Sequence, residues 1–279
     1  MNVAKSSRLS RLLAAAVAGL CFASATTAAE INPWDGEWRY DLAIYGWLPS
    51  VNGTINFDLP RGISPDASAR VDPSSYLSSL QFAAMALGQA RKGDFALFTD
   101  VVYVDFADLK SRVREVSLPG GRVTLPLDED VNFGLRALVW TAGGSWTVAR
   151  GSWGNLDLGG GVRYAGIRTS LDWNYSGPNG VLGRSGGVSE NINFWDGVAV
   201  AYGSVSLDSD RRWFLPYYVD IGAGNHSNWT TMEYAGLGYR FDWGSVILVY
   251  KNLYYNASSG QTVENVTMGG PAIGVNFRW

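Results

Sequence analysis

Apolar and polar residues alternate with a period of two along most of this chain, and helical periodicity is nearly absent. In "WRYDLAIYG", Trp38, Tyr40, Leu42 and Ile44 share one face, and Arg39, Asp41 and Ala43 the other. "DFALFTDVVY" sets Phe95, Leu97, Thr99, Val101 and Tyr103 against Ala96, Phe98, Asp100 and Val102. "VNFGLRALV" reads as Val131, Phe133, Leu135, Ala137 and Val139 against Asn132, Gly134, Arg136 and Leu138. "NLDLGGGVRY" sets Leu156, Leu158, Val162 and Tyr164 against Asn155, Asp157, Gly159, Gly161 and Arg163. The alternation recurs with Leu215, Tyr217, Val219 and Ile221 against Tyr218, Asp220 and Gly222. It returns with Leu237, Tyr239 and Phe241 against Gly236, Gly238 and Arg240, and closes with Ile273, Val275, Phe277 and Trp279 against Ala272, Gly274, Asn276 and Arg278.

Ten strands are predicted: 37–58 (bent near Pro49), 80–91, 94–106, 128–148, 154–173, 190–206, 211–223, 229–241, 244–257 and 262–279. Splitting the first, or pairing 112–117 with 122–126, changes the count, with 8 and 12 as alternatives. A short helical turn is predicted at 72–80, with Asp72 as cap and Pro73 in the first position.

The content of the polar face gives the alternation its direction. A solvated sheet face is rich in Lys, Glu and Thr; here it is mostly Gly, Ala and Asn with single Arg or Asp. Such a face suits a crowded interior in which charges must find partners. The apolar, aromatic-tipped face then meets lipid, which is how a transmembrane barrel reads. Connection lengths agree. "RKGD", "ARGSWG", "DSDRR" and "DWG" are short, whereas 59–79, 107–127 and 174–190 are long, with shorter loops at 225–228 and 256–261. A soluble periplasmic β-sandwich binding protein is the competing architecture, and it needs the aromatic-tipped faces buried against each other.

Composition adds an address. Lys5, Arg8 and Arg11 precede the uncharged run "LLAAAVAGLCFASA" and a small-residue stretch, the layout of a secretory signal peptide over 1–29, with 30–279 as one barrel domain. Cleavage after Ala25 or Ala29 fits equally. The leader carries the single cysteine, Cys21, so the exported part has no thiol chemistry. It also carries three of the 22 Lys+Arg and none of the 25 Asp+Glu, leaving 19 basic against 25 acidic groups and a net charge of −6. That balance excludes nucleic acid as a partner. Glycine at 34 of 279 residues, with 12 Trp and 14 Tyr, points to tightly packed strands.

"ARKGDFALFTDVVYVDF", "LDLGGGVRYAGIRTSLDW", "YAGLGYRFDWGSVILVYK" and "GPAIGVNFRW" resemble an uncharacterised family of proteobacterial outer-membrane β-barrel proteins, over roughly 38–279. The resemblance implies an antiparallel up-and-down barrel in the outer membrane and carries over no substrate and no catalytic residue. Outer-membrane lipid, lipopolysaccharide and the barrel-assembly machinery are the expected partners, with small solutes as candidate cargo. The final strand resembles the insertion signal of such barrels. Gly274, Phe277 and Trp279 fill its defining positions, while Ala272 departs from the polar one.

The inward set supplies the candidate functional residues by parity: Asp41, Asp100, Asp157 and Asp220 as acids, with Arg39, Arg136, Arg163, Arg240, Lys251 and Arg278 as bases. Ten strands leave a narrow interior, in which opposite charges either pair as a stabilising network or line a narrow passive pore. A rim-located hydrolase acting on lipid A or peptide is the alternative function. The only histidine, His226, adjoins Ser227, but neighbours on a strand point to opposite faces, and Glu233 alone does not complete a triad. Asp128 and Asp130 share a face without a histidine nearby, and read as a charged strand entrance. No nucleophile elbow, P-loop, His-Glu-x-x-His or zinc spacing occurs, so no enzyme activity, cofactor or metal is expected. Six Asn-x-Ser/Thr triplets, beginning at Asn52, Asn174, Asn225, Asn228, Asn256 and Asn265, are by-products of polar loops.

Overall fold

The computed structural model describes residues 33–55, 67–71, 80–109, 131–175, 184–225, 227–257 and 263–279. The predicted leader, nearly all of the helical turn at 72–80, the segments 112–117 and 122–126, Asp128, Asp130 and His226 lie outside these. The described strands are β1 (Trp38–Trp47), β2 (Ser50–Ile55), β3 (Ala67–Val71), β4 (Leu80–Lys92), β5 (Phe95–Leu109) and β6 (Val131–Gly151). They continue as β7 (Gly154–Tyr175), β8 (Arg184–Ser206), β9 (Trp213–Gly224), β10 (Ser227–Phe241), β11 (Gly244–Ala257) and β12 (Val263–Arg278).

Each strand from β4 to β12 pairs antiparallel with the next, β1 pairs with β4 on one side, and β12 returns to β1 on the other. The sheet therefore closes on itself. β1 and β2 both pair with β12, and so form one strand interrupted at Leu48–Pro49. Proline lacks the N–H that would continue the ladder. The Leu48 amide still donates to the Pro271 carbonyl at 3.0 Å. Gly270 makes room for the bend, because a Cβ there would collide with the Leu48 carbonyl oxygen. β3 pairs only with β2, above the ring. The closed wall is thus a ten-strand antiparallel barrel, as the alternation predicts, and the sandwich alternative is corrected.

Two segments read as loop from sequence are strand. β3 lies inside 59–79, and the β7–β8 hairpin runs on to the pair Tyr175↔Arg184, where a loop over 174–190 was expected. The 174–190 stretch is polar and glycine-rich and β3 (ASARV) is short, so neither shows a clear apolar alternation, and a backbone ladder outside the apolar band needs none. At the other end the turns are tight. Lys92 pairs with Phe95 across Gly93–Asp94, with Gly93 at φ 56°, the left-handed conformation of a two-residue hairpin loop.

Side chains sort into two faces. Inside, Trp47, Met85, Val102, Val139, Phe194, Tyr218, Met232, Leu253 and Tyr255 belong to one buried cluster, with Phe98, Tyr202 and Tyr234 packed against it. Outside, Ile44, Leu97, Leu158, Val219, Ile221, Leu248 and Ile273 stand exposed, Ile221 and Ile273 at 60%. An apolar surface of this extent wants a non-aqueous solvent. Two aromatic belts border it. Near the short turns, Trp38 stacks on Tyr40 and Tyr40 on Trp279, while Tyr239, Phe241, Trp243 and Phe277 continue the row. Toward the long loops stand Trp140, Trp195 and Tyr164, then Trp229 with Tyr254, and Phe82 with Tyr103. Ten positions separate Trp229 from Tyr239 on β10. At ~3.3 Å per residue and a tilt near 40°, that is roughly 25 Å of height, the apolar band of a membrane barrel.

Glycine opens one wall. Gly143 and Gly161 face each other across β6 and β7, and Phe98 leans into the space. A Cβ at 143 would collide with the Gly160 carbonyl oxygen and lie 2.7 Å from Phe98 Cζ. Backbone cannot yield as a side chain can, so Gly143→Val is expected to lower the refolding yield sharply. Substitution of exposed Val148 by Ala should not, with the two compared by heat-dependent electrophoretic mobility.

Candidate functional site

The barrel interior is the site that sequence parity singles out, and three ionic clusters are stacked within it. Arg163 on β7 ion-pairs with Asp220 on β9, skipping β8, and is fully buried (0%). The Arg163 guanidinium also donates to Thr141 Oγ1 at 3.1 Å and Thr230 Oγ1 at 3.3 Å. Asp220 accepts further bonds from the Tyr218 hydroxyl at 2.6 Å and the Met232 amide at 3.0 Å. Every formal charge in this cluster therefore has partners, which is the condition for burying it at all.

The second cluster spans the lumen. Lys251 on β11 reaches Asp100 on β5 at 2.7 Å, and the Tyr45 hydroxyl on β1 donates to the same carboxylate at 2.6 Å. Lys251 Nζ also donates to Tyr45 Oη at 2.9 Å and lies 5.4 Å from the Trp47 ring centre. Nearer the short turns, Arg91 on β4 meets Asp157 on β7 at 2.7 Å, with Thr147 and Asn155 completing the set. Between these layers Gln89 on β4 donates to the Tyr202 hydroxyl on β8 at 2.8 Å. Tyr202, Tyr218 and Tyr234 follow one another, with Tyr218 and Tyr234 stacked at 5.3 Å.

The turn-side mouth is also furnished. Arg278 Nε donates to Asp41 at 2.8 Å, and Asn276 joins the same oxygen at 3.0 Å. Arg240 lies 3.9 Å over the Phe214 ring and donates to the Arg211 carbonyl at 2.6 Å. Arg39 turns to Asp35, and this guanidinium holds the Asp35 carboxyl below its ordinary value. Just before Asp35, Trp34 sits under Arg91 and Arg150, with the two cations 5.7 and 5.6 Å from its ring centre.

One predicted lumen residue is misplaced. Arg136 is on the outward face, 53% exposed, and pairs with Asp105 at 2.9 Å. Buried Ala137, Val139 and Thr141 show that the odd positions of β6 face inward. The cause is local: the apolar set of "VNFGLRALV" is the odd one, and at Ala137 and Val139 it packs into the interior instead of meeting lipid. The structure also adds residues that parity did not single out. Arg91 was read as part of a turn, yet the turn proper is only Gly93–Asp94. Asp196 is buried on β8, accepts from Ser227 on β10, and keeps its second oxygen without a donor among the described residues. Glu233 accepts from Asn252 at 2.7 Å, so its carboxylate is engaged on the outward face.

At the seam, Gly274, Phe277 and Trp279 lie on β12 and immediately after it. A Cβ at Gly274 would come 2.8 Å from Tyr45 Cβ, so the glycine lets the two strands meet beneath the Tyr45 ring. Phe277 and Trp279 face outward, and Trp279 exchanges both backbone bonds with Tyr40, at 2.9 and 3.1 Å.

No protein-family model and no curated protein matches the chain. Among solved structures it is similar to the outer-membrane protease OmpT of Escherichia coli, at 9% identity and TM-score 0.46, covering 90% of this chain and 99% of that one. The translocator domain of the autotransporter NalP of Neisseria meningitidis is similar at 14% identity and TM-score 0.38, over 98% and 95%. Ail, the attachment invasion locus protein of Yersinia pestis, is similar at 9% identity and TM-score 0.34, over 87% and 99%. At such scores the barrel rests on the chain's own strand pairing, and nothing about activity passes from these proteins.

Proposed function

We propose that the chain is an outer-membrane barrel whose lumen is closed by its own side chains, a structural and surface-presenting body in place of an open passage for solutes. The support for its place in the membrane is the exposed apolar band between two aromatic belts. The observation that carries the closed lumen is the set of contacts spanning it, Lys251–Asp100, Arg91–Asp157 and Gln89–Tyr202, with Asp157 and Arg163 both at 0% exposure. Side chains fill a barrel of about eight strands, and open aqueous channels belong to about sixteen; this one, with ten, is filled.

Planar-bilayer recording tests the reading. Purified, heat-modifiable protein is expected to give no discrete openings at neutral pH, whereas removing one member from each of two spanning pairs, as in Arg91→Ala with Tyr202→Ala, is expected to introduce small ones. Discrete openings from the unaltered protein would restore the narrow-pore function and end this proposal.

A further inference from the structure

The outward position of Arg136 belongs to a charged row that the lumen does not explain. Strand register places Asp105, Arg136, Arg168 and Asn191 directly opposite one another across β5, β6, β7 and β8. Arg136 and Arg168 are both exposed, on the outward face of the wall. Like charges directly opposite on adjacent strands repel. The row's one described carboxylate, Asp105, is ion-paired with Arg136, through both Nε at 3.1 Å and Nη2 at 2.9 Å, and also accepts from the Tyr103 hydroxyl at 3.5 Å. Arg168 faces Arg136 on one side and neutral Asn191 on the other, so the row keeps a net positive charge.

Its height is defined. Trp140, Tyr164 and Trp195 also lie in register, and each is four positions nearer the short turns than Arg136, Arg168 and Asn191 respectively. Trp195 contacts Tyr164 at 4.9 Å and Trp140 at 6.5 Å, and the Tyr164 hydroxyl is bonded to Asn193. Gly166 stands between Tyr164 and Arg168, and a Cβ there would lie 2.6 Å from the Tyr164 hydroxyl, so the ring lies flat along the wall. Four residues are about 13 Å of strand, or roughly 10 Å of height at the usual tilt. The arginines thus stand over an aromatic shelf at the long-loop boundary of the apolar band, where headgroups begin and where a guanidinium can reach down to them.

We propose that Arg136 and Arg168 form a phosphate-binding site on the barrel's outer wall, occupied by the phosphorylated headgroup of an outer-leaflet amphiphile of the lipid A type. Its acyl chains lie against the shelf of Trp140, Tyr164 and Trp195. A phosphate between the two guanidiniums removes their repulsion and accepts paired N–H bonds from each, the geometry in which arginine exceeds lysine. The amphiphile is favoured over free phosphate because the shelf directly beneath the charges is apolar and faces lipid. This inference rests on the outer-membrane reading but not on the closed lumen.

Native mass spectrometry of the detergent-solubilised full chain, with bisphosphorylated and dephosphorylated lipid A as probes, tests it. The heat-dependent mobility shift of each variant shows separately that the barrel has formed, so failure of the barrel reading is distinct from failure of the site. Arg136→Gln with Arg168→Gln is expected to weaken binding of the bisphosphorylated probe about tenfold or more. Asp105→Asn, which frees Arg136, is expected to strengthen it, and millimolar inorganic phosphate is expected to leave the bound amphiphile in place. Equal binding by the folded double variant, equal binding of the dephosphorylated probe, or displacement by inorganic phosphate would each overturn the proposal.

Discussion

Arg163→Ala is expected to cost about 3–5 kcal/mol of barrel stability, the loss that follows when one member of a buried ion pair is removed and the other keeps its charge. Asp220, 2% exposed, would retain Tyr218 and the Met232 amide as donors but lose its counter-charge, and the Thr141 and Thr230 hydroxyls would lose the guanidinium N–H donors they accept from. The diagnostic result is the comparison with a double replacement. Arg163→Met with Asp220→Leu removes both charges and leaves apolar volume, so it is expected to be clearly more stable than Arg163→Ala alone. Urea unfolding in detergent, followed by tryptophan fluorescence and the heat-dependent mobility shift, measures both. If the double replacement proved the less stable of the two, the ion pair would be contributing more than its burial costs, and not merely satisfying two buried charges.

Trp279→Ala is expected to reduce the folded protein recovered from outer membranes roughly tenfold, because an unsealed sheet edge cannot be left in lipid. Trp279 lies at the seam, bonded through its backbone to Tyr40 and stacked on that ring, which in turn stacks on Trp38. Trp279→Phe keeps an aromatic there and should recover most of the yield. The amount of heat-modifiable protein per cell, against total protein on the same blot, is the measurement. Molecules of Trp279→Ala that do fold should match the unaltered protein in urea unfolding to within ~1 kcal/mol, since one exposed ring is lost and no interior contact. A large loss of stability with normal yield would make the residue structural and remove the assembly role proposed for it.

Most of the wall could be read from the sequence because a membrane barrel writes a binary code: lipid on one side, a packed interior on the other, with no neutral face between. Where both faces are distinct, as in "NLDLGGGVRY", parity places Asp157 and Arg163 inside without further help. In "VNFGLRALV" the faces are just as distinct, but the apolar one packs inward at Ala137 and Val139, and the rule fails at Arg136. The same strand read through Trp140, Thr141, Ser145, Trp146 and Thr147 points the right way, since its tryptophans are even and its hydroxyls odd. Asp196 was concealed differently: it shares its face with Phe194 and Val198, an apolar company that masks a buried carboxylate. Pairing partners were not readable at all. Which acid meets which base depends on register and on the curvature of the closed wall, and Lys251 and Asp100 lie four strands apart around it.

The Lys251–Asp100–Tyr45 triangle also ties the charge balance of the interior to the closing of the ring. Its members are 151 and 206 residues apart, measured from Lys251 to Asp100 and to Tyr45. Asp100 on β5 and Lys251 on β11 are brought together around the wall through β4, β1 and β12, so the ammonium reaches the carboxylate only when the ring is shut. In an open sheet the Asp100 carboxylate has the Tyr45 hydroxyl as a donor but no counter-charge, and water must stand in for the ammonium. An open wall would therefore stay wet inside, and the closure of β12 on β1 is what lets the interior dry.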